Sequence, residues 1–329
     1  RHQNKVEGCL MLLEVQDMSV AIGGVTPLDG VSFALDRGQI HGLVGESGSG
    51  KSLTAMAIMG LLPLIGGRII GGSLKFDGHS LQRPETELRK LRGRRIAFIT
   101  QNPMTALDPV RQIGGQVDEV AMMHLGLDRK AARERTIEIL KQLRISSAET
   151  LIRSYPHELS GGMKQRIVIA MALAGEPDLI VADEPTTALD VTVQAQIIHI
   201  LTALVRERGL GLLLITHDMG VVAQACDLVT VLYAGRVAEK STTSTLFQAP
   251  RHPYTNALMA SVPRDDMAIG ELKGIPGFVP SVAGYPPGCR FHPRCSRKTE
   301  ICTGSLPPLL AKDKESALAC HNPLDGAQP

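Results

Sequence analysis

Gly45-Glu46-Ser47-Gly48-Ser49-Gly50-Lys51-Ser52 is the stretch on which the reading of this chain turns. It follows the apolar run His41–Val44 and leads into a helical segment, Leu53–Met59. Glycines let such a loop curl until several backbone N–H groups and the N-terminus of the next helix converge on phosphate oxygens. Lys51 then reaches the β- and γ-phosphates, and the Ser52 hydroxyl is placed to ligate Mg²⁺. The spacing in its strand–loop–helix setting predicts nucleoside triphosphate binding by residues 45–52.

Working outward, short β-branched runs alternate with amphipathic helical segments as far as about residue 240, the pattern of an α/β protein. Strands are expected over Leu12–Val20, Val31–Leu35, Ile40–Val44, Ser73–Phe76, Ile96–Thr100, Leu179–Ala182, Leu212–Ile215 and Leu228–Tyr233. Several of them, such as Leu212-Leu213-Leu214-Ile215, are continuously apolar, as parallel strands covered on both faces are. Between Pro103 and Glu158 the strand signal gives way to helical patterning, clearest over Asp128–Leu143 with Asp128 as N-cap, so an inserted helical subdomain is expected at about 103–160. Residues 1–11 read as a leader or appended segment, 12–240 as the nucleotide-binding unit, and 241–329 as an extension.

Composition narrows the class. With 43% hydrophobic and 21% charged residues and a formal charge of +2, the 329-residue chain is neither a disordered tail nor a broadly basic coat for nucleic acid. The charge-free run Leu53–Gly67 is interrupted by Gly60, Pro63 and Gly66 and falls short of the roughly 18 residues of a membrane span. Arg1–Leu10 lacks the order of an export signal. A cytoplasmic protein with reduced or metal-bound cysteines is expected. The basic run Arg89–Arg95 has no interleaved aromatics and reads as a solvated helix face, so no nucleic-acid partner is expected.

Two further motifs carry chemistry. Leu179–Ala182 ends in Asp183-Glu184, and neighbouring residues at a strand end point to opposite sides. Asp183 is therefore expected to support the Mg²⁺ shell and Glu184 to face the water that attacks the γ-phosphate. Leu159-Ser160-Gly161-Gly162 opens a helix with apolar positions Ile167, Ala170, Met171 and Ala174, a second anion site on the same physics. The chain thus has two phosphate-binding helix starts and one Mg²⁺ set.

The order phosphate loop, Gln101, Ser160-Gly161-Gly162, Asp183-Glu184, Ala188-Leu189-Asp190 and Thr216-His217-Asp218 resembles the ATP-binding-cassette ATPases at every landmark across residues 12–240. The resemblance implies the ABC-type fold of the P-loop NTPases, with a helical subdomain inserted. It implies two cassettes packed head to tail, so that Ser160, Gly161 and Gly162 of one face the ATP held by the other, and Asp190 crosses the interface. It implies that Gln101 approaches Mg²⁺ and the attacking water, and that His217 holds the γ-phosphate and positions Glu184. At the adenine station, where the family stacks an aromatic ring, Val20-Ala21-Ile22 offers Ile22, which keeps apolar contact without π-stacking.

The extension is rich in proline, with 12 of the chain's 20 in its last 89 residues, and reads as a loop-rich separate unit needing another source of stability. Cys289, Cys295, Cys302 and Cys320 suggest that source, a metal centre held by four thiolates, either zinc or an iron–sulfur cluster. Cys9 and Cys226 read as small apolar residues. Arg251-His252-Pro253-Tyr254-Thr255, Gly274-Ile275-Pro276-Gly277 and the Gly288–Cys295 stretch resemble the C-terminal extension of oligopeptide, dipeptide and nickel importer ATPases, as does Asn102–Pro109. That branch implies a [4Fe-4S] cluster rather than zinc. It also implies a second cassette, identical or different, two transmembrane permease subunits and an extracytoplasmic solute-binding protein, with the chain peripheral on the cytoplasmic face. A soluble cassette ATPase acting mechanically on DNA or ribosomes would call for a long coiled coil, a second cassette or a basic face, and the sequence displays none.

Overall fold

A computed structural model describes residues 11–187, 189–262 and 274–325. Residues 1–10 with Cys9, and Ala188, lie outside the described residues. The strands are β1 (Leu13–Ile22), β2 (Val25–Leu35), β3 (Ile40–Val44), β4 (Gly67–Phe76), β5 (His79–Ser80), β6 (Ile96–Ile99), β7 (Leu179–Asp183), β8 (Gly211–Thr216), β9 (Leu228–Tyr233), β10 (Arg236–Thr242), β11 (Leu310–Ala311) and β12 (Ala317–Leu318).

They form two sheets. A four-stranded antiparallel sheet has the order β2-β1-β4-β5, and an eight-stranded sheet the order β11-β12-β10-β9-β3-β8-β7-β6. From β9 to β6 the larger sheet is parallel. Its strands bury both faces: Leu212 and Leu214 of β8 belong to one apolar cluster, Leu213 and Ile215 to the other. Continuous apolar runs are the sequence counterpart of that two-sided burial.

β2 begins six residues before the expected Val31. Gly23 and Gly24, at φ 54° and 85°, form a two-residue turn between paired Ile22 and Val25. Positive φ at both central residues is what a type I′ hairpin needs, and it carries β2 back along β1 through the mixed stretch Val25–Gly30. β4 likewise starts earlier than Ser73, because pairing with β1 stabilises residues whose own patterning is weak.

The insert contains the helices Ile113–Leu125 and Arg129–Gln142, the second capped by Asp128, whose side chain accepts from the Ala131 N–H. Both pack on the helix Gly161–Ala174, the element that carries the second glycine motif. In the Arg89–Arg95 run only the first residues are a solvated face. Arg92 clasps Glu85 and the Met59 and Gly60 carbonyls, and Arg95 pairs with Asp77 and Asp178, tying the small sheet to the large one.

The extension is not a separate unit with its own core. β12 pairs with β10, the Ala319 N–H donates to the Ala238 carbonyl, and Phe291 is buried in the same apolar cluster as the parallel strands. Docking on the cassette gives the extension buried apolar contacts that proline content cannot reveal.

Candidate functional site

Four neighbouring parallel strands, β3, β8, β7 and β6, end on one edge of the large sheet, and each delivers a polar group there. Ligands of open α/β sheets bind at this carboxyl edge. The phosphate loop follows β3 and His217 follows β8. Asp183 and Glu184 close β7, and Gln101 lies two residues beyond β6.

The loop is held in shape by glycine where nothing else fits. Gly45 has φ 148°, and a Cβ there would stand 2.2 Å from the Leu232 carbonyl oxygen. Gly50 has φ 105° and caps the helix Lys51–Ile58, with a Cβ meeting Leu28 at 2.4 Å. Lys51 Nζ folds back and donates to the carbonyls of Gly45 at 2.7 Å and Glu46 at 3.0 Å. Burial pulls the lysine pKa down, against the opposing pull of Glu184, Asp183 and Glu46.

Asp183 and Glu184 meet different partners. Ser52 Oγ donates to Asp183 Oδ1 at 3.2 Å, and burial, followed by the charge of Glu184, raises the Asp183 pKa despite that bond. A buried carboxylate beside a hydroxyl suits a hard cation such as Mg²⁺. Glu184 turns away at φ 47°. Its Oε1 meets His217 Nδ1 at 3.0 Å, and its Oε2 accepts from Gln101 Nε2 and Thr187 Oγ1, both at 2.9 Å. Burial is the largest influence on its pKa and acts upward, but hydrogen bonds from His217 and Thr187 and the charges of His217 and Lys51 outweigh it. The net direction is down, which favours the ionised carboxylate. Gln101 thus stands on Glu184 rather than on the Ser52–Asp183 pair. His217 is 60% exposed and faces open space on its other side. Thr187 carries no motif signal, and sequence reasoning missed it.

Ser160 caps the helix Gly161–Ala174, accepting from the Met163 N–H at 3.3 Å, and is itself exposed. Gly162 packs so closely on Val193 that a Cβ would lie 2.5 Å from its Cγ1. The neighbouring Asp190 caps the helix Val191–Arg208. Ser160–Gly162 and Asp190 therefore share one exposed region, although 30 residues separate them along the chain. Ile22 lies at the tip of the β1–β2 hairpin and is partly buried against the small sheet.

In the extension Cys289, Cys295, Cys302 and Cys320 are free thiols. Burial raises the pKa of Cys289, of Cys295 and of Cys320, the last to about 11, and the charges of neighbouring cysteines add to each rise. The four therefore lie in one electrostatic neighbourhood. Among the described residues, however, no group of three or more His, Cys, Asp or Glu is arranged to hold a metal ion, so the expected four-thiolate centre is not preassembled. The Cys289 N–H donates to the Cys302 carbonyl, and Cys302 Sγ stands 3.3 Å from Thr299 Oγ1, so these two residues are engaged locally.

Known proteins share the fold and the domains that host these motifs. The ABC transporter family matches residues 28–187, and the family described as the C-terminal region of oligopeptide/dipeptide transporters matches 238–302. The chain is 46% identical over 320 residues to the oligopeptide transport ATP-binding protein OppD of Salmonella typhimurium, covering 96% of this chain and 95% of that protein. It is 45% identical over 297 residues to AppD of Bacillus subtilis, 90% of each, and 43% identical over 325 residues to the dipeptide transport ATP-binding protein DppD of Escherichia coli, 97% and 98%. Among solved structures, cbiO1 of Clostridium perfringens superposes with a TM-score of 0.63 at 27% identity, covering 72% of this chain and 90% of that one. The ATP-binding cassette MJ0796, solved as a post-hydrolysis dimer with ADP and Pi, superposes with a TM-score of 0.62 at 26% identity, covering 70% and 98%. The fold and the nucleotide site are those of an ABC-type ATPase, which binds and hydrolyses ATP with Mg²⁺. Within that class the chain belongs to the oligopeptide/dipeptide transporter family of ATP-binding proteins.

Proposed function

We propose that this chain is the subunit whose ATP hydrolysis powers import of peptides, or of nickel or another small solute, through separate transmembrane permease subunits supplied by an extracytoplasmic solute-binding protein. The observation that carries this reading is that the similarity to oligopeptide and dipeptide transport ATP-binding proteins runs through the extension as well as the cassette. Among the described residues no helix is long and apolar enough to cross a membrane, so transport requires partners that do. The inserted helical region exposes Met104, Val110 and Met123, apolar surface suited to a permease. The chain then works on the cytoplasmic face of the membrane. Its test is co-purification from membranes with permease subunits and a binding protein, followed by identification of the bound solute; isolation with ribosomes or DNA would overturn it.

At the site, the N–H groups of residues 45–52 cradle the phosphates, and Lys51 neutralises the β- and γ-oxygens. Ser52, Asp183 and Gln101 would hold Mg²⁺, which when bound would neutralise charge developing on those oxygens. Glu184 accepts the proton of the attacking water, its ionised form favoured by His217 and Thr187 and its carboxylate aimed by His217 and Gln101. Ser160, Gly161 and Gly162 complete the site of a second cassette, identical or different, with Asp190 at the interface. Ile22 lies against adenine. ATP binding closes the pair, and hydrolysis reopens it.

We also assign Cys289, Cys295, Cys302 and Cys320 to a [4Fe-4S] cluster, with zinc as the alternative. Four free thiols, of which Cys289, Cys295 and Cys320 have pKa values raised by burial and by neighbouring cysteines, form a fitting donor set, because ligation by a metal removes the cost of ionisation. Zinc needs all four sulfurs about 2.3 Å from one point, whereas a cluster spreads its thiolates over separate irons. Anaerobically purified protein is expected to be brown and to contain iron and sulfide. A colourless protein with one zinc would reverse the assignment.

A further inference from the structure

Arg294, in the extension, reaches the phosphate loop. Its two terminal nitrogens donate to the two carboxylate oxygens of Glu46, each at 2.9 Å, and its side chain is only 5% exposed. Its remaining donors are used as well, Nε on the Pro276 carbonyl at 2.7 Å and Nη1 also on Tyr233 Oη at 3.3 Å. A second contact comes from Tyr254, fully buried, whose hydroxyl accepts from the Glu46 N–H at 2.9 Å. The Glu46 carbonyl in turn accepts from Lys51 Nζ. Every polar group of Glu46 is thus engaged, two by the extension and one by the lysine that the loop presents to phosphate.

From this geometry we infer that Arg294 and Tyr254 are positioning residues for the phosphate loop, and that the extension thereby sets the affinity for ATP. Two physical effects act in the same direction. A loop with glycines at 45, 48 and 50 samples many conformations, and fixing residue 46 from outside removes part of the ordering cost otherwise met on binding. Arg294 also neutralises a carboxylate that otherwise stands within the loop that receives the negative phosphates. Both effects are realised when ATP binds, not in the step that cleaves it, so they appear in Kd and KM rather than in kcat.

The inference rests on the ATP site and not on the identity of the solute, so it is tested on the isolated full-length chain. Equilibrium binding of ATP with Mg²⁺ and steady-state hydrolysis are measured for Arg294→Gln, Glu46→Gln, their double variant and Tyr254→Phe. Arg294→Gln is expected to weaken ATP binding about tenfold with kcat at saturating ATP within about twofold of wild type. Adding Glu46→Gln is expected to make matters no worse, because the unpaired charge is then gone and the two residues act as one unit. Tyr254→Phe, which deletes one oxygen and leaves the ring packing, is expected to cost about threefold and keeps the test open should the Arg294 variant fold poorly. ATP affinity within twofold of wild type in Tyr254→Phe and in a folded Arg294→Gln, or effects of Arg294→Gln and Glu46→Gln that multiply in the double variant, would overturn the inference. So would lower thermal stability with unchanged Kd, the mark of a merely structural contact.

Discussion

Glu184→Gln is expected to lower kcat by about 10²–10⁴-fold while ATP is still bound, the range a positioned general base contributes. The substitution is nearly isosteric and leaves the phosphate loop, Lys51 and the Ser52–Asp183 pair untouched, so the groups that bind ATP remain. What it removes is the carboxylate just past β7, to which the proposed mechanism gives the water's proton. It also disturbs the pair with Gln101, whose Nε2 donates to Glu184 Oε2, since an amide offers one acceptor where the carboxylate offers two. ATP then binds without being consumed, and the two-cassette assembly is expected to accumulate closed, seen as an ATP-dependent dimer in size-exclusion chromatography. Hydrolysis at the wild-type rate would remove Glu184 as the base.

Lys51→Ala acts one step earlier, on binding. The lysine is buried, holds two loop carbonyls, and interacts with the charges of Glu184, Asp183 and Glu46. Removing it takes away the partner of the β- and γ-phosphates and leaves Asp183 and Glu184 facing the same space, Glu46 being paired with Arg294. Loss of a buried, hydrogen-bonded charge partner costs roughly 2–5 kcal/mol, about 30-fold to several thousandfold in affinity. Titration calorimetry with ATP and Mg²⁺ is expected to show ATP affinity weakened by at least about 30-fold with the fold intact by circular dichroism. Binding as tight as wild type would mean that the loop amides alone hold the phosphates.

These two variants probe residues legible from the chain alone. The strand–loop–helix order around residues 45–52 and the apolar runs of the parallel strands are local patterns, visible within a few residues. So are the caps, Asp128 on its helix and Ser160 on the second glycine motif, because a capping side chain bonds to N–H groups two or three residues away. Local signals fail where pairing overrides them. The first half of β2, all of β10 and the short β11 and β12 are strands because a neighbour completes their hydrogen bonds, not because their residues favour extension. The arginine run misleads for the same reason. Arg92 and Arg95 look solvated until their carboxylate partners, from seven residues away to more than eighty, are brought to them.

What the sequence determined by itself was therefore the set of chemical parts: a phosphate loop, a carboxylate pair, and a second glycine-rich, Ser-capped helix start. These depend on residue type at short spacing, and short spacing is conserved by the covalent chain in any fold. The tertiary structure decided who aims them. Thr187, Gln101 and His217 converge on Glu184 because β6, β7 and β8 lie side by side in the sheet. Arg294 reaches Glu46 across 248 residues because Phe291 and Tyr254 are buried in the cassette's own core and carry the extension with them. Contacts of that separation are chosen by packing and charge pairing in three dimensions, and no spacing along the chain records them.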